Sequence, residues 1–139
     1  MAPILTFEHV SKTYSNGTQA LKDVSFQAEQ GEFISIMGPS GSGKSTLLRS
    51  INQLIGISEG KVYVGLETVN GKKGKALRQL RRRVGMIFQN YNLVYRLSVL
   101  QNVLHGRLGY MSCLDGVLGR FREADKKEAL ALLEEIGLA

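Results

Sequence analysis

The chain has 139 residues, 43% of them hydrophobic, and fits one ordinary domain with its own core. No run approaches the roughly 18 apolar residues of a membrane span, the N-terminus lacks an apolar signal region, and one cysteine excludes an internal disulfide. These features predict a cytosolic protein with no cysteine-based metal cluster, in which Cys113 is buried or half-buried as a small apolar residue. The net charge is +6.

Two strands are predicted at the start of the chain, over residues 4–10 and 21–28. Ser15-Asn16-Gly17 is a hairpin-type turn signal between them. The inward positions of the second strand are predicted to be Leu21, Val24 and Phe26. Tyr14 directly precedes the turn and is either a core residue or half-exposed, and composition alone favours the half-exposed position.

Residues 33–37 form a short, mostly apolar run that predicts a buried parallel strand. The next eight residues, GPSGSGKS, match the phosphate-binding loop pattern G-x-x-x-x-G-K-[ST]. A helix is predicted after the loop from the spacing of Leu47, Leu48, Ile51 and Leu54. The four fixed positions arise by chance in roughly 1% or fewer of chains this long. The order of strand, glycine-rich turn and helix makes a chance match rarer still.

The residue types in this loop suit a bound triphosphate. Gly38, Gly41 and Gly43 allow backbone N–H groups to approach an anion closely, and the helix that follows points its positive end at that anion. Lys44 is expected to reach the β- and γ-phosphates, and the Ser45 hydroxyl is expected to bind the magnesium ion that bridges them. Thr46 adds a further hydrogen-bond donor.

After the helix, residues 56–60 are predicted to break the chain, residues 61–64 to form a strand and residues 70–74 a polar loop. Residues 84–88 are a second candidate for a buried strand. Gln89 closes this strand, and open α/β sheets place their ligands at the carboxyl ends of strands. Gln89 is therefore either a ligand-facing residue or a plain strand terminus.

A long interval without acidic residues, between Glu67 and Asp115, carries an unusual number of basic ones. They are Lys72, Lys73, Lys75, Arg78, Arg81, Arg82, Arg83, Arg96 and Arg107. Such a patch suits nucleic acid, anionic lipid or an acidic partner. We favour a solvated helix face instead, because an apolar stripe of Ala76, Leu77, Leu80 and Val84 runs between these residues.

The C-terminal part is predicted to be helical. Ser98 and Gln101 form a capping box, and Gly106 is placed to end that helix. Residues 109–121 are expected to be an irregular link. Residues 123–136 predict an amphipathic helix that ends at Gly137 and whose apolar side contains Leu130, Leu132, Leu133 and Ile136.

Two segments together carry a family resemblance: GPSGSGKSTLLRSIN, preceded by the aromatic Tyr14, and VGMIFQNYNLVYRLSVLQNVLHGRLGY. They resemble the ATP-binding subunits of ATP-binding-cassette (ABC) importers. The second segment is most similar to the phosphonate-import ATPases, although importers for phosphate, polar amino acids and lipoproteins share most of its residues. The resemblance covers essentially the whole chain.

The resemblance implies an α/β fold, that of a P-loop nucleoside triphosphate hydrolase of the ABC-ATPase type. It also implies that the chain is truncated before the signature and Walker B segments. The sequence contains no LSGG-like segment and no apolar strand that ends in Asp-Glu, and His9 and His105 lie too early to be the family's switch histidine. Residues 1–92 would form the nucleotide-binding core with its N-terminal antiparallel strands, and residues 93–139 the incomplete beginning of the helical subdomain.

The resemblance also assigns roles to single residues, with ATP and Mg²⁺ as the bound groups. Lys44 and Gln89 would be catalytic, and Ser45 and Gln89 would contact the metal ion. The nucleotide would be bound by Tyr14, which stacks on adenine, and by Gly38, Pro39, Ser40, Gly41, Ser42, Gly43, Lys44, Ser45 and Thr46.

The implied assembly is a peripheral subunit at the cytoplasmic face of the cell membrane, without a transmembrane segment. Its partners would be the permease subunits, a second ATPase subunit in a head-to-tail dimer and, indirectly, a solute-binding protein, with no specific nucleic acid. The complete protein would hydrolyse ATP, whereas the 139-residue chain alone is predicted to be inactive. The alternative is a nucleotide-binding or nucleic-acid-binding module with no transport role.

Overall fold

The structure is a computed structural model that describes residues 3–90 and 92–138. The chain divides into two compact units, Met1–Val84 and Gly85–Ala139. The sequence predicts a different division, between a nucleotide-binding core that ends at residue 92 and a helical subdomain that begins at residue 93. That division stays a prediction.

An antiparallel sheet in the order β2-β1-β3-β4 is the base of the first unit. Its strands are β1 (Leu5–Thr13), β2 (Gln19–Ala28), β3 (Glu59–Val64) and β4 (Glu67–Thr68). The first three confirm the strands predicted at residues 4–10, 21–28 and 61–64. Strand β4 is not predicted from the sequence, because two residues after a turn are too few to show a periodicity.

Two helices pack on this sheet, α1 (Lys44–Ile51) and α2 (Gly74–Arg83). The buried core that joins them to the strands consists of Phe7, Val10, Leu21, Leu47, Val62, Val64, Val69 and Leu80. Phe7 of β1 stacks on Phe26 of β2, with ring centroids 4.7 Å apart. The apolar stripe predicted for α2 is correct for Leu77, Leu80 and Val84, which pack on the core, but Ala76 is exposed.

The predictions of buried strands at residues 33–37 and 84–88 are wrong. Neither segment has regular secondary structure, and Phe33 and Ile87 are 92% and 93% exposed. A strand exists only when a neighbour pairs with its backbone groups, and no strand of the described residues pairs with either segment. The apolar pattern therefore shows that these segments are suited to a buried position. It does not show that a neighbouring strand is present to bury them.

The second unit is helical, with α3 (Val99–Leu104), a 3₁₀ helix (His105–Tyr110), α4 (Cys113–Val117) and α5 (Glu123–Glu135). Leu104, Ala129 and Leu133 are buried in this unit, where α3 lies against α5. Arg107 of the 3₁₀ helix pairs with Asp125 and Glu128 of α5. Apolar packing thus attaches α3 to α5, and ion pairing attaches the 3₁₀ helix to α5.

Some predictions for this unit are confirmed and others are wrong. The Ser98 and Gln101 capping box is present at the start of α3. The α-helix α3 ends at Leu104 with His105 as its C-cap, as predicted from the position of Gly106, and the chain then continues as the 3₁₀ helix to Tyr110. Residues 109–121 are not wholly irregular, since they contain α4, whose N-cap Ser112 accepts a hydrogen bond from the Asp115 backbone N–H.

Two expectations about burial also need correction. Cys113, the first residue of α4, is exposed. The last predicted helix is present as α5, but Leu130, Leu132 and Ile136 are exposed and its buried residues are Ala129 and Leu133. None of the helices in the described part of the chain is long and apolar enough to cross a bilayer.

Candidate nucleotide-binding site

The loop from Gly38 to Gly43 leads directly into α1, and Lys44 is the first residue of that helix. The Lys44 ammonium donates hydrogen bonds to the backbone oxygens of Gly38 and Pro39, at 2.8 and 2.7 Å, and to Ser42 Oγ at 3.3 Å. These bonds use the three donors of the ammonium group. The positive charge is therefore held against the backbone of the loop.

The three loop glycines differ in what a side chain would meet at each position. Gly41 and Gly43 have φ angles of 80° and 89°, in the left-handed region that favours glycine. A Cβ at Gly41 would meet nothing within 4 Å, whereas one at Gly43 would collide with the backbone oxygen of Ala20 on β2. A Cβ at Gly38 would lie 2.8 Å from Ser42 Oγ. The loop is thus fitted closely to the sheet through Gly43.

Tyr14, at the end of β1, is brought to the same helix. Its Oη lies 3.1 Å from the Thr46 Oγ1, and Thr46 is buried in the first turn of α1. The backbone beside the ring is fixed too, because the Thr13 N–H donates to Ser58 Oγ and the Ser58 hydroxyl donates to the Thr13 backbone oxygen. The half-buried aromatic ring and the phosphate-binding loop therefore share one rigid support.

Lys12 is a neighbour of Tyr14 that is not predicted from the sequence. Its Nζ lies 5.2 Å from the centroid of the Tyr14 ring. Tyr14 lies one residue beyond β1, and the pairing of β1 with β2 is irregular around Lys12, so strand alternation alone does not predict this contact.

The remaining predicted site residues fall into two groups. Pro39, Ser40, Ser42 and Ser45 are exposed, as are Gly38 and Gly41. Gln89 is also exposed, in the turn that follows residues 84–88, and belongs to the other compact unit. The structure thus brings together Tyr14, Thr46 and the loop, whereas the role of Gln89 stays a prediction.

The described residues contain no group of three or more His, Cys, Asp or Glu side chains that could hold a metal ion. Magnesium does not need such a cage, because it commonly takes most of its ligands from water and substrate phosphates. The exposed Ser45 hydroxyl in the first turn of α1 fits an ion bound in that manner.

The basic interval is partly used inside the first unit. Glu67 pairs with Lys72 at 2.7 Å and with Arg83 at 3.3 Å. The hydrogen bond and charge of Lys72, and then the charge of Arg83, hold the pKa of the Glu67 carboxyl below its ordinary value. Arg81 donates to the backbone oxygens of Asn52 and Gln53 at the end of α1, both at 3.1 Å. These arginines and Lys72 therefore have structural partners.

Comparison with known proteins gives a family match over most of the chain. The sequence profile described as "ABC transporter" matches residues 21–139. Phosphonates import ATP-binding protein PhnC 2 of Halalkalibacterium halodurans is 53% identical over 135 residues, which cover 97% of this chain and 55% of the relative. The protein of the same name from Oceanobacillus iheyensis is 52% identical over 98% of this chain and 54% of its own length. The chain thus spans about half the length of these relatives.

Solved structures give the same result. The ATP-binding cassette MJ0796, a dimer in a post-hydrolysis state with ADP and Pi, is 38% identical with a TM-score of 0.74, over 94% of this chain and 56% of that one. A nucleotide-free ATP-binding cassette from an ABC transporter is 28% identical with a TM-score of 0.76, over 98% of this chain and 55% of that one.

Proposed function

Since the chain belongs to the ABC transporter family and has the P-loop ATP-binding-cassette fold, we propose that it is the N-terminal part of an importer's ATP-binding and ATP-hydrolysing subunit. The transported solute is a phosphonate or a related small anion. The observation that carries this proposal is the 53% identity to a phosphonates import ATP-binding protein over 97% of the chain.

The geometry of the loop supports a role in triphosphate binding. Lys44 is already held at the loop backbone, so phosphate oxygens replace some of its carbonyl partners rather than attract a distant side chain. A preorganised cation of this kind stabilises charge on the β- and γ-phosphates. Residues 38–46, except Pro39, which has no backbone N–H, supply N–H groups to the same anion. Ser45 offers its hydroxyl to Mg²⁺, which neutralises developing phosphate charge when bound.

Tyr14 provides the surface on which adenine stacks. Its hydroxyl is hydrogen-bonded to Thr46 of α1, and this bond holds the ring close to the loop that precedes the helix. Gln89 is assigned to the contact with Mg²⁺ and the attacking water, on the strength of the family resemblance alone.

The complete subunit would act as part of a larger assembly. We assign to it a second ATPase subunit in a head-to-tail dimer, transmembrane permease subunits and an indirectly coupled solute-binding protein, at the cytoplasmic face of the membrane. The similarity to the dimeric cassette MJ0796 supports the dimer. The 139-residue chain alone is expected to bind MgATP weakly and not to turn it over.

A chimera tests the proposed function in cells. This chain would replace the corresponding N-terminal part of the Halalkalibacterium halodurans relative, in a strain that lacks its own phosphonate-import ATPase. We expect growth on a phosphonate as the only phosphorus source with the chimera and with its Lys22→Ala variant. The Lys44→Ala chimera is expected not to grow. Failure of the chimera to support growth when the intact relative does so would refute the assignment.

A further inference from the structure

Lys12 and Tyr14 form a charged and aromatic pair at the end of β1. The Lys12 Nζ lies over the Tyr14 ring, 5.2 Å from its centroid, which is within the range of a cation–π interaction. The ion pairs found among the described residues do not include Lys12. Among the described residues, the Tyr14 ring is therefore the group that stabilises the Lys12 charge.

The ring that receives this charge cannot easily turn away. Tyr14 is held at its hydroxyl by Thr46, and the preceding residue is held on both backbone groups by Ser58. The Tyr14 backbone oxygen also accepts a hydrogen bond from the Gly17 N–H in the hairpin turn. One face of a fixed ring is thus covered by an ammonium group.

We propose that Lys12 is a positioning residue of the nucleobase site, where it acts through the Tyr14 ring. The base stacks on the ring face opposite the Lys12 ammonium, in the order lysine, tyrosine, base. This inference rests on the proposed function, because it requires Tyr14 to be the nucleobase platform.

Two physical effects support this arrangement. The ammonium occupies one face, so a base can stack only on the other face of the ring. The cation also draws π-electron density of the ring toward itself, so the far face is less repulsive to the π-electrons of a purine. Lys12 therefore contributes to base binding without touching the phosphates.

Binding of MgATP and of magnesium tripolyphosphate, which has no base, separates this role from a phosphate contact. The measurement uses the 139-residue chain and its Lys12→Met, Lys12→Arg and Tyr14→Leu variants. We expect Lys12→Met to raise the Kd for MgATP about two- to fivefold, with the energy of a cation–π contact at an exposed site as the upper bound of the effect. The Kd for tripolyphosphate should not change. Lys12→Arg should bind MgATP as the unchanged chain does, because guanidinium makes the same contact with a ring.

Two controls make the outcome specific. Lys22→Met, on the exposed surface of β2, changes the net charge equally and should leave both Kd values unchanged. In the Tyr14→Leu background, Lys12→Met should have no further effect, because the ring through which Lys12 acts is gone. Equal loss of both ligands in Lys12→Met, or unchanged MgATP binding, would overturn the inference alone. Failure of the unchanged chain to bind MgATP would overturn the proposed function and the inference with it.

Discussion

At the scale of single residues, the loop glycines separate backbone conformation from steric fit. Gly41 and Gly43 have similar positive φ angles, but only Gly43 lies against a backbone oxygen, that of Ala20. The two positions therefore form a matched pair. A Gly→Ala substitution tests backbone strain alone at Gly41, and backbone strain together with a steric collision at Gly43.

Gly41→Ala is expected to cost about 1–2 kcal/mol of unfolding free energy, the cost of the left-handed conformation for an L-residue. Gly43→Ala should cost about 1–3 kcal/mol more, because the sheet or the loop must also move. Urea unfolding of both variants measures the difference. Equal losses would show that the loop is not fitted to β2 as described.

Lys44 carries the charge of the proposed phosphate site. Lys44→Ala removes charge-assisted hydrogen bonds worth about 1.5–3 kcal/mol to a phosphate, so we expect the Kd for MgATP to rise about 10- to 100-fold. Isothermal titration is the measurement, with Lys22→Ala as the charge-matched control. Unchanged affinity in Lys44→Ala would exclude this residue from the site.

At the scale of elements, the basic residues of α2 raise the question whether this helix binds nucleic acid. Arg81 and Arg83 have partners within the first unit, which reduces the charge that α2 can offer to a polyanion. We expect only weak, salt-sensitive binding to duplex DNA or RNA, measured by fluorescence anisotropy from low to physiological salt. Submicromolar binding at physiological salt, lost when Arg81, Arg82 and Arg83 are neutralised, would favour the nucleic-acid-binding module instead.

The exposed extended segments at residues 33–37 and 84–88 give a second test at this scale. Unpaired backbone N–H groups exchange rapidly, whereas those of β1 are paired with strands on both sides. We expect fast hydrogen exchange in both segments of the chain alone, and protection once the C-terminal part of the Halalkalibacterium halodurans relative is joined to it. Unpaired segments of this kind also favour self-association. Protection equal to that of β1 in the chain alone would contradict the structure.

Local signals were read correctly from the sequence where the partner lies nearby in the chain. The capping box of Ser98 and Gln101 and the hairpin of β1 and β2 are examples. The cap of α4 at Ser112 and Asp115 is equally local but was not among the predictions. The exposure of residues 33–37 could not be predicted in this way, because whether a segment is buried depends on neighbours far along the chain. The contact of Gly43 with Ala20 is non-local for the same reason.

At the scale of the whole molecule, the predicted family and fold class are confirmed by the profile match and by the solved structures. The proposed site would supply a phosphate-binding loop and an aromatic platform, but the sequence contains no apolar strand that ends in Asp-Glu, from which the resemblance leads us to expect the carboxylate near the attacking water. Positioning of phosphates without that group accounts for only part of catalysis. We therefore expect this chain alone to bind MgATP without hydrolysing it.

The most direct test of the account is ATP hydrolysis by the 139-residue chain alone and by the same chain joined to the C-terminal part of the 53%-identical relative. We predict turnover at background for the chain alone, clear turnover for the joined protein, and loss of that turnover in its Lys44→Ala variant. Hydrolysis by the chain alone at a rate near that of the joined protein, or an inactive joined protein beside an active intact relative, would contradict the account.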